Sequence, residues 1–143
     1  MQAKLLHESR EKTYVLVFDK GDEFMAGMRE FAQQHDLDAA SFTAIGAFSG
    51  VTLGYFEREQ MDYTKIPVNE QVEVLSLVGN IAIGKEGPQI HAHVVLGKRD
   101  GTAHGGHILE AHIWPTLEVI VVESPAHLRR TVDEETGLTL LRP

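Results

Sequence analysis

The sequence predicts an α+β domain in which a mainly antiparallel β-sheet carries one main helix. Most of the chain consists of short apolar or alternating segments separated by polar turns, which is the pattern of strands. One segment, Glu23–Ala32, instead repeats its apolar residues at helical spacing. A chain of 143 residues suffices for one domain that buries roughly two-thirds of the surface its unfolded form exposes. Since neither a linker nor a repeat divides it, we expect a single domain over residues 1–143.

The composition restricts the chemistry and the partners. The chain has no cysteine, which excludes disulfides, cysteine-rich zinc modules and thiol catalysis, so histidine or a carboxylate must hold any transition metal. A formal charge of −8 repels a phosphate backbone, and no basic run exceeds Arg129-Arg130, so direct nucleic-acid binding is not favoured. No apolar run approaches the roughly 18 residues of a membrane span or forms a signal-peptide core. We therefore expect a cytoplasmic protein.

The helix is expected to begin after Asp22, which is predicted as its N-cap. Phe24, Met28, Phe31 and Ala32 fall on one helical face and are predicted to pack into the core.

The predicted strands are short, and polar or glycine-containing turns separate them. Glu57–Pro67 is predicted as a polar connector and Pro125–Arg130 as a turn or short helical piece. Pro115 is expected to end a strand, because proline cannot donate to a central ladder. Strands are predicted at Lys4–His7, Thr13–Asp19, Ala40–Phe48, Val51–Phe56, Val72–Leu77, Val78–Ile83 and Leu138–Leu141, with three more in Gln89–Val122.

Two histidines on one predicted strand are the strongest chemical signal. His91 and His93 are two residues apart, so their side chains project from the same face of the strand. Neutral imidazoles bind divalent transition metals, and three of them with one open position describe a catalytic or exchangeable zinc-type site. A solvated polar face is the competing interpretation.

The choice of the third histidine depends on the hairpin that follows. A five-residue loop, Gly97–Gly101, places His107 opposite His91, with His104 on the other face. A two-residue turn at Asp100-Gly101 reverses that parity and favours His104. Spacing alone leaves both histidines as candidates.

Glu118 is the one carboxylate within the apolar run Thr116–Val122. Burial of a glutamate is costly unless it meets a cation or strong donors. A metal-bound water or the second N–H of a ligand histidine would serve, and Glu118 would then act as a catalytic base. The alternative is an edge-strand glutamate that faces solvent.

The motifs HAHVVLGKRDGTAHGGHILEA, LEVIVV, FTAIGAFSGVTLGYF and DEETGL resemble the PPC domain, also called DUF296, over nearly the whole chain. The resemblance implies a compact α+β homotrimer and, in prokaryotic members, a metal held by the His-x-His pair and the Gly-Gly-His histidine. Those residues are His91, His93 and His107 here. A glutamate at the position of Glu118 recurs in the family. A more distant similarity runs to acetolactate decarboxylase, whose zinc has the same histidine pattern.

Two functions follow as hypotheses. The first is a trimeric binding, assembly or regulatory module with a zinc-type site, in a family associated with DNA; here the acidic charge and the missing AT-hook disfavour direct contact. The second is a metal-dependent enzyme, decarboxylase-like, acting on a small carbonyl or carboxylate ligand at the metal, with Glu118 moving a proton. No arginine is expected at the site, because Arg58, Arg99, Arg129, Arg130 and Arg142 fall in predicted loops or the tail. The sequence leaves open whether the protein is an enzyme.

Overall fold

The computed structural model describes residues 1–8, 11–124 and 127–142, with backbone alone for residues 2–8. The predicted α+β class is confirmed, because one helix accompanies a large, mainly antiparallel sheet. No helix in the described chain is long and apolar enough to cross a membrane. The elements are β1 Gln2–Glu8, β2 Lys12–Phe18, α1 Phe24–Gln34, β3 Ala39–Glu57, β4 Asp62–Val68, β5 Val72–Gly84, β6 Gly87–Gly97, β7 Ala103–Glu123, β8 Arg129–Val132 and β9 Thr139–Arg142.

Four long strands close on themselves and form the centre of the sheet. β3 pairs with both β5 and β7, and β6 also pairs with both. β1 and β2 extend the sheet beyond β7, β4 adds to the far half of β3, and the β8–β9 hairpin attaches to β5 through one parallel bridge between Ile83 and Arg129. This attachment brings the C-terminal hairpin next to β5 and β6.

One face of the sheet is apolar and buried against the helix. Along β6 the side chains of Ile90, Ala92 and Val94 are buried, while the alternate residues point to the other face. The helix contributes the residues predicted for its inner face, including the fully buried Phe24 and Met28. The core therefore fixes which side chains of β6 and β7 point outward.

One strand is longer than the sequence predicted, and another lies where a connector was expected. β3 runs without interruption from Ala39 to Glu57, and the expected turn at Ser49-Gly50 is wrong, because Gly50 pairs with His112 in the ladder. The expected connector Glu57–Pro67 is also wrong in its second half, because Asp62–Val68 is β4. The hydrogen-bonded ladder with the long strand β7 outweighs the local preference of Ser49-Gly50 for a turn.

Pro115 does not end its strand. β7 continues through it, and the register with β3 shifts between the pairs Gly46–Leu117 and Phe48–Ile113. This shift puts three β7 residues opposite one β3 residue, which is a bulge. Proline is tolerated at a bulge because no ladder bond requires its missing N–H.

The helix cap also differs from the prediction. Glu23 is the N-cap, and its carboxylate accepts hydrogen bonds from the backbone N–H groups of Met25 at 3.0 Å and Ala26 at 2.6 Å. Asp22 instead accepts from the backbone N–H of Asp19 at 3.0 Å. Glutamate is not among the preferred N-cap residues, which is why the pattern favoured Asp22.

The C-terminal segment is more regular than expected. Within Pro125–Arg130, Pro125 and Ala126 lie outside the described residues, and Arg129 begins β8 rather than a helical piece. Residues 133–137 form a turn, in which the carboxylate of Asp133 accepts from the backbone N–H of Thr136 at 3.1 Å. That turn joins β8 to β9, which pair antiparallel.

Candidate metal centre

Three histidines converge on the outward face of β6 and β7. His93 and His107 are directly opposite each other in the antiparallel ladder, and His91 precedes His93 on the same face. One ligand nitrogen from each ring lies within 4.8 Å of the others, and the Nε2 atoms of His91 and His93 are 3.1 Å apart. His104 is exposed opposite Leu96 and does not belong to this cluster. The hairpin loop begins one residue later than expected, so His107 faces His93 rather than His91.

The rings pack against one another and against Tyr63. The ring centroids of His91 and His93 are 4.9 Å apart, and those of His91 and His107 are 5.1 Å apart. Tyr63 of β4 stacks on His107 with the ring centroids 5.0 Å apart and the planes at 27°. His91 and His107 are half-buried in this arrangement, whereas His93 is exposed.

Arg130 is the functional candidate that sequence reasoning missed. Its Nη2 donates to Oδ1 of Asn80 at 2.5 Å and lies 3.3 Å from Nδ1 of His91. The expectation that Arg130 falls in a loop away from the cluster is wrong, because it lies on β8, which pairs with β5. The β-branched pair Thr131-Val132, followed by the DEETG turn, was the available signal for that hairpin.

The Arg130 contact fixes a tautomer of His91. Guanidinium groups donate hydrogen bonds and do not accept them, so Nδ1 of His91 must present its lone pair to Arg130. In the metal-free protein the proton of the neutral ring is then on Nε2, so a metal that bound through Nε2 would move this proton to Nδ1 and break the contact with Arg130.

The electrostatic environment favours neutral rings. Burial, followed by the charges of His91, His93 and Arg130, lowers the pKa of His107 from 6.5 to about 4. Burial, then Arg130 and His93, also lowers the pKa of His91. Neutral imidazole is the form that binds metal, and both rings hold it at neutral pH.

Two features of the cluster fit a transition metal: its imidazole donors, and one buried ring nitrogen without a hydrogen-bond partner in the described chain. Two nitrogens bound to a single zinc ion are roughly 3.4 Å apart when the metal–nitrogen bonds are about 2.0–2.1 Å. The observed spacing brackets this value: the Nε2 atoms of His91 and His93 are 3.1 Å apart, and the three ligand nitrogens all lie within 4.8 Å of one another. Nδ1 of His107 is buried and has no hydrogen-bond partner within the described chain. A buried nitrogen of this kind costs stability unless a bound group interacts with it.

Glu118 lies apart from the cluster. It is on β7, eleven positions after His107, where the strand pairs with Val17 of β2 and Ile45 of β3. Its side chain is exposed, so the buried position considered for it from the sequence is wrong for the single chain. The sheet alternates buried and exposed residues there, and Glu118 takes an outward position between the buried Leu117 and Val119.

Solved structures share this fold over almost their whole length. A metal-containing protein from Archaeoglobus fulgidus is 36% identical, with 92% of this chain and 94% of that chain covered and a TM-score of 0.85. A plant- and prokaryote-conserved (PPC) protein from Pyrococcus horikoshii is 27% identical over 99% and 95%, with a TM-score of 0.86. A Ralstonia eutropha JMP134 protein, provisionally named as DNA-binding, is 27% identical over 91% and 90%, with a TM-score of 0.85.

A more distant likeness concerns the fold alone. A Staphylococcus aureus protein of unknown function, described as similar to alpha-acetolactate decarboxylase, is 14% identical, with 77% of this chain and 51% of that chain covered and a TM-score of 0.53. No curated protein matches the chain.

The family comparison agrees with these structures. The profile of the Plants and Prokaryotes Conserved (PCC) domain matches residues 6–125, which include the three histidines and Glu118. The chain therefore belongs to the PCC domain family, the PPC domain of its structural relatives.

Proposed function

We propose that this chain is a homotrimeric metal-binding module with an assembly or regulatory role. One observation carries the proposal: a ligand nitrogen from each of His91, His93 and His107 lies within 4.8 Å of the other two. The metal-containing relative from Archaeoglobus fulgidus supports the same conclusion. Three neutral imidazoles without sulfur ligands suit zinc, which is the ion we propose.

The trimer is supported by an apolar surface that the single chain leaves uncovered. Ile45 of β3 is 61% exposed and Val78 of β5 is 52% exposed, and both lie on the outward face of the sheet. Ile120 and Val122 of β7 continue this outer face, because they pair with Thr43 and Ser41 beside Ile45. Contiguous apolar surface of this kind marks an interaction site in a monomer.

Glu118 belongs to the same outer face. It pairs with Ile45 across β3 and β7 and precedes Ile120, so association through this face would bury it. Any contact between Glu118 and a metal-bound ligand therefore has to form between protomers. We propose that its role, structural or catalytic, depends on assembly.

DNA association, where it occurs, is proposed to run through partner proteins. The formal charge of −8 opposes a phosphate backbone, even though the Ralstonia eutropha relative has a DNA-binding name. A cytoplasmic location completes the proposal, since a cysteine-free chain suits a reducing compartment.

Metal analysis of the purified protein tests this proposal. We expect one zinc per chain in the wild type, none in His107→Ala, and full retention in the matched control His104→Ala, whose histidine is exposed outside the cluster. Light scattering then compares the assembly of the same variants. Equal metal content in all three proteins would refute the three-histidine site, and a monomeric wild type would refute the trimer.

A second function, a metal-dependent enzyme of the lyase class, is favoured by one observation. Arg130 lines a cavity beside His91 and His107, as expected where a small carbonyl or carboxylate substrate binds. The bound metal would supply a Lewis acid. Under this function, His107→Ala remains trimeric but loses small-molecule binding, whereas a structural metal predicts loss of assembly.

A further inference from the structure

A cavity of about 500 Å³ opens beside the histidine cluster. His91 and His107 form one end, and Arg130 lies next to them. The volume is within the range of about 300–1,000 Å³ that is typical of small-molecule sites. The cavity therefore has room for an organic ligand rather than for an ion alone.

Arg130 is a partly buried cation that no carboxylate neutralises within the described chain. Its acceptors there are neutral: Oδ1 of Asn80, Nδ1 of His91 and the carbonyl oxygen of Thr139, which is 3.1 Å from Nη1. Its Nε is buried and has no hydrogen-bond partner in that part of the chain. A buried charge is expected to have a counter-ion, and the described chain provides none for this guanidinium.

The remaining lining combines polar and apolar residues. Leu138 and Leu140 of the C-terminal segment are among its apolar residues. The cavity also has Arg29 of α1 against a single acidic residue, Glu86. Two cations against one carboxylate favour an anionic ligand, and the two leucines favour one with a hydrocarbon part.

We propose that this cavity binds a small organic carboxylate, with its head group on Arg130 and its apolar part against Leu138 and Leu140. The inference deepens the proposed function, because it names the class of molecule that would sit beside the metal ligands. Arg130 acts as a binding residue through its charge. The contact does not require a metal, so it can be tested on metal-free protein.

The experiment compares two probes that differ in the head group. Hexanoate and its neutral isostere hexanamide are titrated into metal-free protein, after the chelator has been dialysed away, and binding is followed by saturation-transfer NMR. A charge-assisted hydrogen bond predicts that hexanoate binds at least about tenfold more tightly than hexanamide. Arg130→Gln should remove this preference, because the fork of donors and its charge are lost.

Arg129→Gln is the matched control. Arg129 neighbours Arg130 on β8, carries the same charge and is exposed, and it does not line the cavity. The control should keep the full preference for hexanoate. A purely structural role of Arg130 would change the binding of both probes alike, so the ratio of the two affinities isolates the charge.

Three results would overturn the proposal: equal wild-type affinities for the two probes, an unchanged preference in Arg130→Gln, or tighter binding of inorganic phosphate than of hexanoate. Should Arg130→Gln fail to fold, the wild-type ratio still decides. Metal content is measured separately on the same wild-type protein. A protein that binds no zinc but prefers hexanoate through Arg130 refutes the proposed metal function alone, and zinc binding without that preference refutes the carboxylate site alone.

Discussion

Nη2 of Arg130 lies 3.3 Å from Nδ1 of His91, so the C-terminal hairpin touches the histidine cluster directly. Asn80 completes the contact, because it is opposite His91 in the β5–β6 ladder and accepts from the same Nη2. A residue 39 positions away in sequence thus sets the protonation pattern of a proposed metal ligand.

The first prediction concerns that pattern. In metal-free protein, His91 should be the Nε2–H tautomer, because Nδ1 accepts from Arg130. Arg130→Gln should reduce the population of this tautomer, and Arg129→Gln should leave it unchanged. Long-range proton–nitrogen NMR of the histidine rings distinguishes the two forms. Protonation of Nδ1 in the neutral wild-type ring would contradict the contact.

The second prediction concerns acid stability. The pKa of His107 falls from 6.5 to about 4 on folding, so the unfolded chain binds more protons between these values. The contribution of this histidine to stability is therefore complete above about pH 6.5 and is lost as the pH falls toward 4.

Urea unfolding of metal-free protein at pH 7 and pH 5, at one protein concentration, measures the effect. The midpoint should drop at pH 5 in the wild type, and the drop should be smaller in His107→Gln. His104→Gln, altered at an exposed histidine on the same strand, should behave as the wild type. An identical drop in all three proteins would show that other groups cause it.

The third prediction tests the outer face. Val78→Glu places a charge among apolar side chains that a partner would bury, so the proposed trimer should dissociate while the fold persists. Val132→Glu is the control, because Val132 is 65% exposed on β8 and lies off this face. Light scattering reports mass, and circular dichroism reports the fold. A trimeric Val78→Glu protein would locate the interface elsewhere.

The fourth prediction concerns a glycine behind the cluster. A Cβ at Gly79 would collide with the ring of Phe42 and lie 2.5 Å from the carbonyl oxygen of His91, so Gly79→Ala must displace the backbone that carries the ligand. We expect a loss of about 1–3 kcal/mol, the usual cost of overpacking, together with weaker zinc binding.

Gly50→Ala is its control, because a Cβ there meets only the carbonyl oxygen of Val68 at an ordinary 3.6 Å. Denaturant titration and zinc competition compare the two variants. Equal stability and equal zinc affinity would show that the backbone at His91 tolerates the extra carbon.

Local patterns predicted the features that depend on neighbouring residues. The inner face of the helix follows from Phe24 and Met28, and the shared direction of His91 and His93 follows from strand alternation. The position of His107 needed the hairpin register, which the sequence left open between two loops. The family resemblance selected His107, and the ladder pairs it with His93.

The missed features depend on distant partners. Ser49-Gly50 has the composition of a turn, but pairing with β7 keeps it extended. Pro115 is accommodated because its partner strand skips residues there. Arg130 reaches the cluster through a single bridge from β8 to β5, and no local periodicity encodes that bridge.

The hairpin of β6 and β7 contains all three imidazoles within residues 91–107. All three donors thus lie within one peptide of seventeen residues. Closing the single loop between β6 and β7 brings them together, without contacts from distant parts of the chain. The segment could therefore be transferred to another antiparallel sheet of matching twist together with all three proposed metal ligands. The transferred segment would lack Arg130, and with it the preference for carboxylates that we propose for the cavity.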